Sequence, residues 1–256
     1  MITPTPIVSV IGPAIKTHYW IEFHAYLKKN NIPWEVVFVG PNAPDFPLPS
    51  NFRHIQADLK PAQCLEIASM EARGEFLVVF PDDIKAEKGV LDWEHYFKIR
   101  LPPFSVVGAK FGDVKRGKKH NLCHKSVLLG SEPTSPILPA YAMIRKSEWV
   151  ELGGVDSQIV GSCGDSDLFM RAISRGGCPF ISPNSVLYER EANIEIDPVN
   201  LLVRHRHDYY FLVNQWTDIE EGKEPVYRKK RRDPVIPFDH ETIMDGNQGN
   251  LRGWIL

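Results

Sequence analysis

Two short acidic motifs carry the side chains best suited to chemistry. The first, Pro81-Asp82-Asp83, directly follows an apolar run, and the second, Asp165-Ser166-Asp167, follows the small-residue run Gly161–Gly164. Carboxylate oxygens are the ligands that Mg²⁺ or Mn²⁺ prefers, and such an ion completes its shell with water and substrate phosphate. A carboxylate at a helix start can instead act as a general base. The motifs therefore predict a binding site for a hard cation beside a substrate phosphate, and a general base.

Each motif also has a purely structural interpretation. Asp residues in a turn after a strand commonly accept hydrogen bonds from backbone amides, which would explain Asp82 and Asp83 without a ligand. Asp165 could be an N-cap, and the helix dipole favours an ionised carboxylate in either role. The sequence position leaves both interpretations open at both motifs.

The surrounding pattern alternates between strands and helices. Three apolar runs predict strands and two intervening segments predict helices: Ile7–Ile11, Val36–Val39 and Glu75–Phe80, with Tyr19–Lys29 and Pro61–Gly74 between them. The third run is apolar on both faces, which is typical of the middle of a parallel sheet covered by helices. The order predicts an α/β fold with a mostly parallel central sheet flanked by helices. Ligands of such sheets bind outside the carboxyl ends of the strands, where the first acidic motif is expected.

Composition excludes several classes of protein. The chain has 256 residues, 43% of them hydrophobic, and can form one principal core that buries roughly 70–75% of the unfolded surface. Its 30 basic and 32 acidic side chains nearly cancel, so no overall field favours nucleic acid, and none is expected as a partner. The four cysteines form no CxxC pair, which argues against a zinc site or a disulfide framework: Cys64, Cys123, Cys163 and Cys178.

No stretch approaches the ~18–20 apolar residues that span a bilayer, and Met1–Pro6 lacks the layout of a signal peptide. We therefore expect a cytoplasmic protein without a transmembrane segment. The composition shifts from Glu220 onward, and we divide the chain into a domain at residues 1–216 and a C-terminal basic arm at residues 217–256. The run Arg228–Arg232 in this arm could make peripheral contact with an anionic membrane, although a solvated hinge explains it as well.

Taken in order, four pieces resemble the GT-A glycosyltransferases, particularly the family 2-like group: Val8–Pro13, Ala72–Asp83, Ile144–Asp156, and Asp165–Leu168 with Arg171. The match covers roughly residues 7–216, and the order of the pieces carries it. The resemblance implies a GT-A (nucleotide-diphospho-sugar transferase) fold. It also implies a metal-dependent, hexosyltransferase-type enzyme that transfers a sugar from a nucleotide-sugar, foremost a UDP-sugar, to a hydroxyl of a glycan or other acceptor, with inversion.

The resemblance also implies roles for individual residues. Asp165 would be the catalytic base, and Asp83, helped by Asp82, would hold Mn²⁺ or Mg²⁺ on the diphosphate. Gly12, Pro13 and Asp58 would contact the nucleotide-sugar. Asp167 would contact the acceptor. His205 would be a late metal ligand, with His207 as the alternative.

The chain departs from the family pattern at three positions. Pro81 stands where the family has the first Asp of its Asp-any-Asp motif, which puts the ribose contact in doubt. Gly40-Pro41-Asn42 replaces an Asp that holds the base, so Asn42 or Asp58 would have to substitute. Gly164 stands where a Glu often precedes the catalytic Asp. These departures predict unusual or weakened donor recognition.

Two other functions therefore stay open. A nucleotidyltransferase that makes nucleotide-sugars would also use a metal and an α/β domain, but Gly12–Lys16 is a poor version of its glycine-rich, basic phosphate loop. A non-catalytic binding domain could have kept the fold and lost the chemistry. A metal-dependent shift in melting temperature with a nucleoside diphosphate would favour either enzyme over a binding domain. Release of that diphosphate from a nucleotide-sugar would separate a transferase from a nucleotidyltransferase.

Overall fold

The computed structural model describes residues 5–86, 90–113, 118–122, 138–161, 163–189 and 198–243. Within these ranges the strands are β1 Val8–Pro13, β2 Trp34–Gly40, β3 Phe52–Gln56, β4 Phe76–Val79, β5 Ile84–Ala86, β6 Val106–Asp113, β7 Lys118–Leu122, β8 Ala140–Arg145, β9 Pro179–Glu189, β10 Thr217–Asp218 and β11 Val226–Tyr227. The helices are α1 Trp20–Leu27, α2 Pro61–Glu71, α3 Glu94–Ile99, α4 Lys146–Glu151, α5 Gly164–Ser174 and α6 Pro198–Trp216, with a 3₁₀ turn at Thr17–Tyr19 before α1.

Nine of these strands form one sheet in the order β3-β2-β1-β4-β8-β6-β9-β5, with β7 pairing β6 beside β8. Strands β1 to β4 run parallel to one another. Strand β8 pairs antiparallel with both β4 and β6, so β6 and its parallel neighbour β9 point the same way as β1. Strands β5 and β7 are antiparallel additions. The expected mostly parallel central sheet flanked by helices is confirmed.

The central strand β4 shows how the two layers are held. All four of its side chains are buried. Leu77 and Val79 face a core that includes helices α2 and α5, while Phe76 and Val78 face a second core beside α1. Burial of apolar surface on both faces fits a strand that helices cover from either side.

The segment after α6 packs against this domain. Strands β10 and β11 form a short antiparallel pair, and the backbone of Pro237 bridges to that of Asp156. Phe238 and Ile243 are buried in the same core as α2 and α5. Residues 217–243 therefore contribute to the main core, while the rest of the predicted arm lies outside the described residues.

The segment between β6 and β8 is only partly described. Of the polar insert between Gly112 and Pro139, residues 118–122 form β7, and residues 114–117 and 123–137 lie outside the described residues. Across the described ranges, every helix is too short or too polar to cross a bilayer.

Candidate functional site at the carboxyl edge of the sheet

The two acidic motifs lie at the same edge of the sheet. Asp82 and Asp83 follow the carboxyl end of β4. Helix α5 leads into the amino end of β9, which runs parallel to the central strands, so α5 begins at their carboxyl edge. The backbone N–H of Ala62, at the start of α2 just beyond β3, donates to the carbonyl of Val160 at 3.0 Å, which ties the segment before α5 to this edge. This is where ligands of open α/β sheets bind.

Asp82 takes the structural role that the sequence left open. Its side chain is 4% exposed, and Oδ2 accepts hydrogen bonds from the backbone N–H of Ile15 at 2.8 Å, from that of Lys16, and from Trp20 Nε1 at 3.1 Å. Burial raises the pKa of Asp82, and the Lys16 amide opposes that rise by stabilising the carboxylate. Asp82 thus fixes the loop after β1.

Asp83 is more accessible and has a different partner. Its Oδ2 lies 2.5 Å from Lys16 Nζ, and the two side chains are 13% and 19% exposed. The pair therefore reaches solvent at the edge of the sheet. Together, Asp82 and Asp83 hold one residue by its backbone and by its ammonium group.

The predicted nucleotide loop at Gly12 and Pro13 is held closely between β4 and β2. A Cβ on Gly12 would lie 2.1 Å from the carbonyl oxygen of Phe80, and one on Gly40 would lie 1.8 Å from that of Ala14. Both positions require glycine because the contacts are with backbone atoms that side-chain motion cannot relieve. Asn42 Nδ2 also donates to the carbonyl of Ile15 at 2.9 Å. The loop is therefore held from both sides.

Two predicted residues take less defined places. Asp58 is exposed in the loop between β3 and α2, at the carboxyl edge of the sheet. His205 lies in α6, and its side chain is outside the described part of the structure. Neither position assigns a ligand.

Asp165 lies in the first turn of α5 and is not its N-cap. The N-cap is Cys163, which adopts a left-handed conformation at φ 65° and makes no side-chain capping bond. Asp165 is half-buried, and its Oδ1 accepts from the backbone N–H of Ser166 at 2.8 Å. An ionised carboxylate in a first helical turn is favoured by the helix dipole. The carboxylate is therefore partly accessible at the edge where a ligand would bind.

Asp208 on α6 supports the segment that leads to Asp165. It is fully buried, and its two oxygens accept from the backbone N–H groups of Val160 at 3.0 Å and Gly161 at 2.8 Å. The sequence does not point to this residue, because one Asp within a helical pattern gives no sign of the loop it will meet. The nearby Cys163 thiol has its pKa raised to about 12, first by burial and then by the charges of Asp165, Asp208 and Asp167.

Asp167 differs from the expected acceptor contact, because it is fully buried. Its Oδ2 accepts from Arg171 Nε at 2.9 Å, and its Oδ1 accepts from Trp216 Nε1 at 2.9 Å. The guanidinium of Arg171 also donates hydrogen bonds to the backbone carbonyls of Leu152 and Gly154. Burial lowers the pKa of Arg171 while the charge of Asp167 opposes that fall, and a guanidinium stays cationic throughout. Asp167 thus joins α5 to its neighbours in the core.

The basic run Arg228–Arg232 is not uniformly exposed. The Arg231 side chain is 6% exposed, with Nη2 2.5 Å from Asp156 Oδ2 and Nε 3.3 Å from Asp167 Oδ1. The second contact brings the charges together without forming a hydrogen bond, since Arg231 Nε has no hydrogen-bond partner among the described residues. Arg231 therefore cannot take part in a membrane-facing patch, although Lys229 and Lys230 are exposed.

The site fits a divalent cation only with help from substrate. Among the described residues, no three His, Cys, Asp or Glu side chains cluster as a ready set of ligands. Asp83 offers one accessible carboxylate at this edge. Magnesium often uses one or two carboxylates together with water and substrate phosphate, so a single carboxylate is compatible with a cation that arrives with a diphosphate.

Comparison with solved structures identifies the fold. S. aureus TarS, residues 1–349, superposes on 81% of this chain with a TM-score of 0.57 and 17% identity, and the chain spans 63% of that structure. Structures of the same fragment in complex with UDP and with UDP-GlcNAc superpose on 84% of the chain, with TM-scores of 0.56 and 0.52 and identities of 19% and 18%. The chain spans 67% and 68% of those two structures.

The chain has a glycosyltransferase fold. The expectation of a GT-A architecture is confirmed, while identities this low show the fold alone, and membership of the family 2-like group stays a prediction. No protein-family profile and no curated protein sequence matches the chain.

Proposed function

We propose that the chain is a metal-dependent glycosyltransferase that transfers a sugar from a UDP-sugar to the hydroxyl of a glycan or other acceptor. One observation carries the proposal: Asp83 and Asp165 lie at the same carboxyl edge of a fold that S. aureus TarS also uses, and TarS has been crystallised with UDP and with UDP-GlcNAc. The edge thus offers an accessible carboxylate for the donor side and another for the acceptor side.

On the donor side, the loop Gly12–Lys16 presents backbone to the nucleotide, and Asp83 holds the cation. When Mn²⁺ or Mg²⁺ is bound, it neutralises the charge that develops on the leaving diphosphate. Asp82 contributes indirectly, because its hydrogen bonds to Ile15 and Lys16 fix the loop. Asp58 and Asn42 flank this region from the ends of β3 and β2 and are the candidates for a contact with the base.

On the acceptor side, Asp165 accepts the proton of the attacking hydroxyl. The hydroxyl oxygen forms a bond to the anomeric carbon as the bond from that carbon to the diphosphate oxygen breaks, and the nucleoside diphosphate leaves. A single displacement of this kind inverts the anomeric centre. Asp208 and Asp167 act through the backbone and the helix that carry Asp165.

The substitution Asp165→Asn tests this role. Asn keeps an oxygen that can accept from the Ser166 amide, and Asp165 is not the helix cap, so we expect little change in the melting temperature. An amide cannot accept the proton, and loss of a general base typically lowers the rate ~10²–10⁴-fold. UDP should bind with unchanged affinity by calorimetry, while the rate of transfer from UDP-GlcNAc falls by two decades or more.

Asp92→Asn is the matched control, because Asp92 is an exposed carboxylate just before another helix, α3. We expect its transfer rate to equal that of the wild type. If Asp165→Asn also transfers within a few-fold of the wild type, Asp165 is not the base.

A further inference from the structure

Lys16 is the cation in contact with Asp83, and both acidic residues after β4 hold it. Asp82 accepts from its backbone N–H, and Asp83 pairs with its ammonium group. The neighbouring carbonyl of Ile15 accepts from Asn42 on the other side. The backbone at Lys16 is thereby fixed, while its side chain ends at a pair that solvent reaches, 19% and 13% exposed.

We propose that Lys16 is a diphosphate ligand, and that nucleotide binding draws its ammonium from Asp83 to the diphosphate. The inference rests on the proposed function, since it assigns a further residue to the same site. A diphosphate carries more negative charge than one carboxylate, and an ion pair that water reaches is weak enough to exchange partners. Because Asp82 has already fixed the backbone, only the side chain of Lys16 must be ordered when the diphosphate arrives.

This role has a consequence for the cation. In the unliganded protein the ammonium group of Lys16 is paired with the carboxylate of Asp83, so a divalent cation must compete with Lys16 for that carboxylate. When Lys16 moves to the diphosphate, Asp83 becomes available. A nucleoside diphosphate should therefore bind without any divalent cation, and Mn²⁺ alone should bind weakly.

Calorimetry with UDP in EDTA tests the inference. The wild type should bind UDP, and Lys16→Met should bind it about tenfold more weakly or worse, since a hydrogen bond to a charged group is lost. Lys16→Arg, which keeps the cation, should restore much of the affinity. Lys28→Met is the control, because Lys28 is exposed at the opposite end of α1.

The substitution Asp83→Asn distinguishes the two proposed partners of the Lys16 ammonium group, the Asp83 carboxylate and the diphosphate. It removes the competing carboxylate and leaves Lys16 in place, so UDP affinity in EDTA should equal or exceed that of the wild type. Mn²⁺ should no longer strengthen UDP binding in this variant.

Two results would overturn the inference. Equal UDP affinity in EDTA for the wild type and Lys16→Met would remove Lys16 from the diphosphate site. UDP binding by the wild type in Mn²⁺ but not in EDTA would do the same, while leaving the proposed function intact. Failure to bind UDP under either condition would instead contradict the proposed function and the inference with it.

Discussion

Replacement of Arg231 by Met should destabilise the protein substantially, although the sequence places Arg231 within an ordinary-looking basic run. Its guanidinium is 2.5 Å from Asp156 Oδ2 and 3.3 Å from Asp167 Oδ1, and both carboxylates are fully buried. Removing one partner of a buried ion pair typically costs about 3–5 kcal/mol, because a charge is left uncompensated.

The contacts that remain decide where in this range the loss falls. Asp167 keeps Arg171 and Trp216 as donors. Within the described part of the chain, the backbone N–H of Ile236, at 3.4 Å, is the hydrogen-bond donor that Asp156 Oδ2 keeps. Against this, Arg231 Nε and Nη1 in the wild type are already buried with no hydrogen-bond partner in the described ranges, so part of this destabilisation is already present before the substitution. The lower end, about 3 kcal/mol, is therefore expected.

Urea unfolding followed by tryptophan fluorescence measures this loss. With a urea m-value of about 3 kcal/mol/M, the midpoint should fall by roughly 1 M. Arg228→Met is the control, because Arg228 pairs at 3.0 Å with Asp218, whose side chain is 61% exposed. Such surface pairs contribute about 0–1 kcal/mol. If Arg231→Met and Arg228→Met unfold at the same midpoint, the buried network does not tie the arm to the domain.

Two further predictions concern the segment before α5. Asp208→Asn puts an amide N–H against one of the backbone N–H groups of Val160 and Gly161, so the transfer rate should fall while UDP affinity stays unchanged; a parallel loss of both would contradict this placement. Because the thiol of Cys163 has a pKa of about 12, iodoacetamide at pH 8 should alkylate it far more slowly than Cys178 in native protein. Equal labelling of the two cysteines, read by mass spectrometry, would contradict a raised pKa for the Cys163 thiol. The same thiol ionises near pH 9.0 in the unfolded chain, so the free energy of unfolding should also fall as the pH rises from about 9 towards 12.

The fold could be predicted because its signals are local. The strand β4 shows its double burial as four consecutive apolar residues, and the helix before it, α2, lies within the segment Pro61–Gly74 that the spacing predicts. The order of these pieces sufficed for the architecture. It also placed the first acidic motif at the carboxyl edge, whereas the place of the second follows from the structure.

The site could be predicted only in part, because its contacts join distant parts of the chain. Asp82 and Asp83 look like one metal motif, yet their partners lie in the loop at Ile15 and Lys16, more than sixty residues away. Arg231 is the one described basic side chain of its run that turns into the core, and nothing in the spacing distinguishes it from its neighbours. Periodicity reports which face of an element is buried, and it does not report which polar groups meet across a fold.

The most direct test of the proposed function is the identity of the nucleotide that the wild-type protein releases from UDP-GlcNAc in the presence of Mn²⁺. We expect UDP, released together with transfer of the sugar to an acceptor hydroxyl or to water, and released at least a hundredfold more slowly by Asp165→Asn. Formation of UDP-GlcNAc from UTP and the sugar phosphate, with release of pyrophosphate, would identify a nucleotidyltransferase. Binding of UDP-GlcNAc without any turnover would identify a binding domain, and either result would contradict the proposed function.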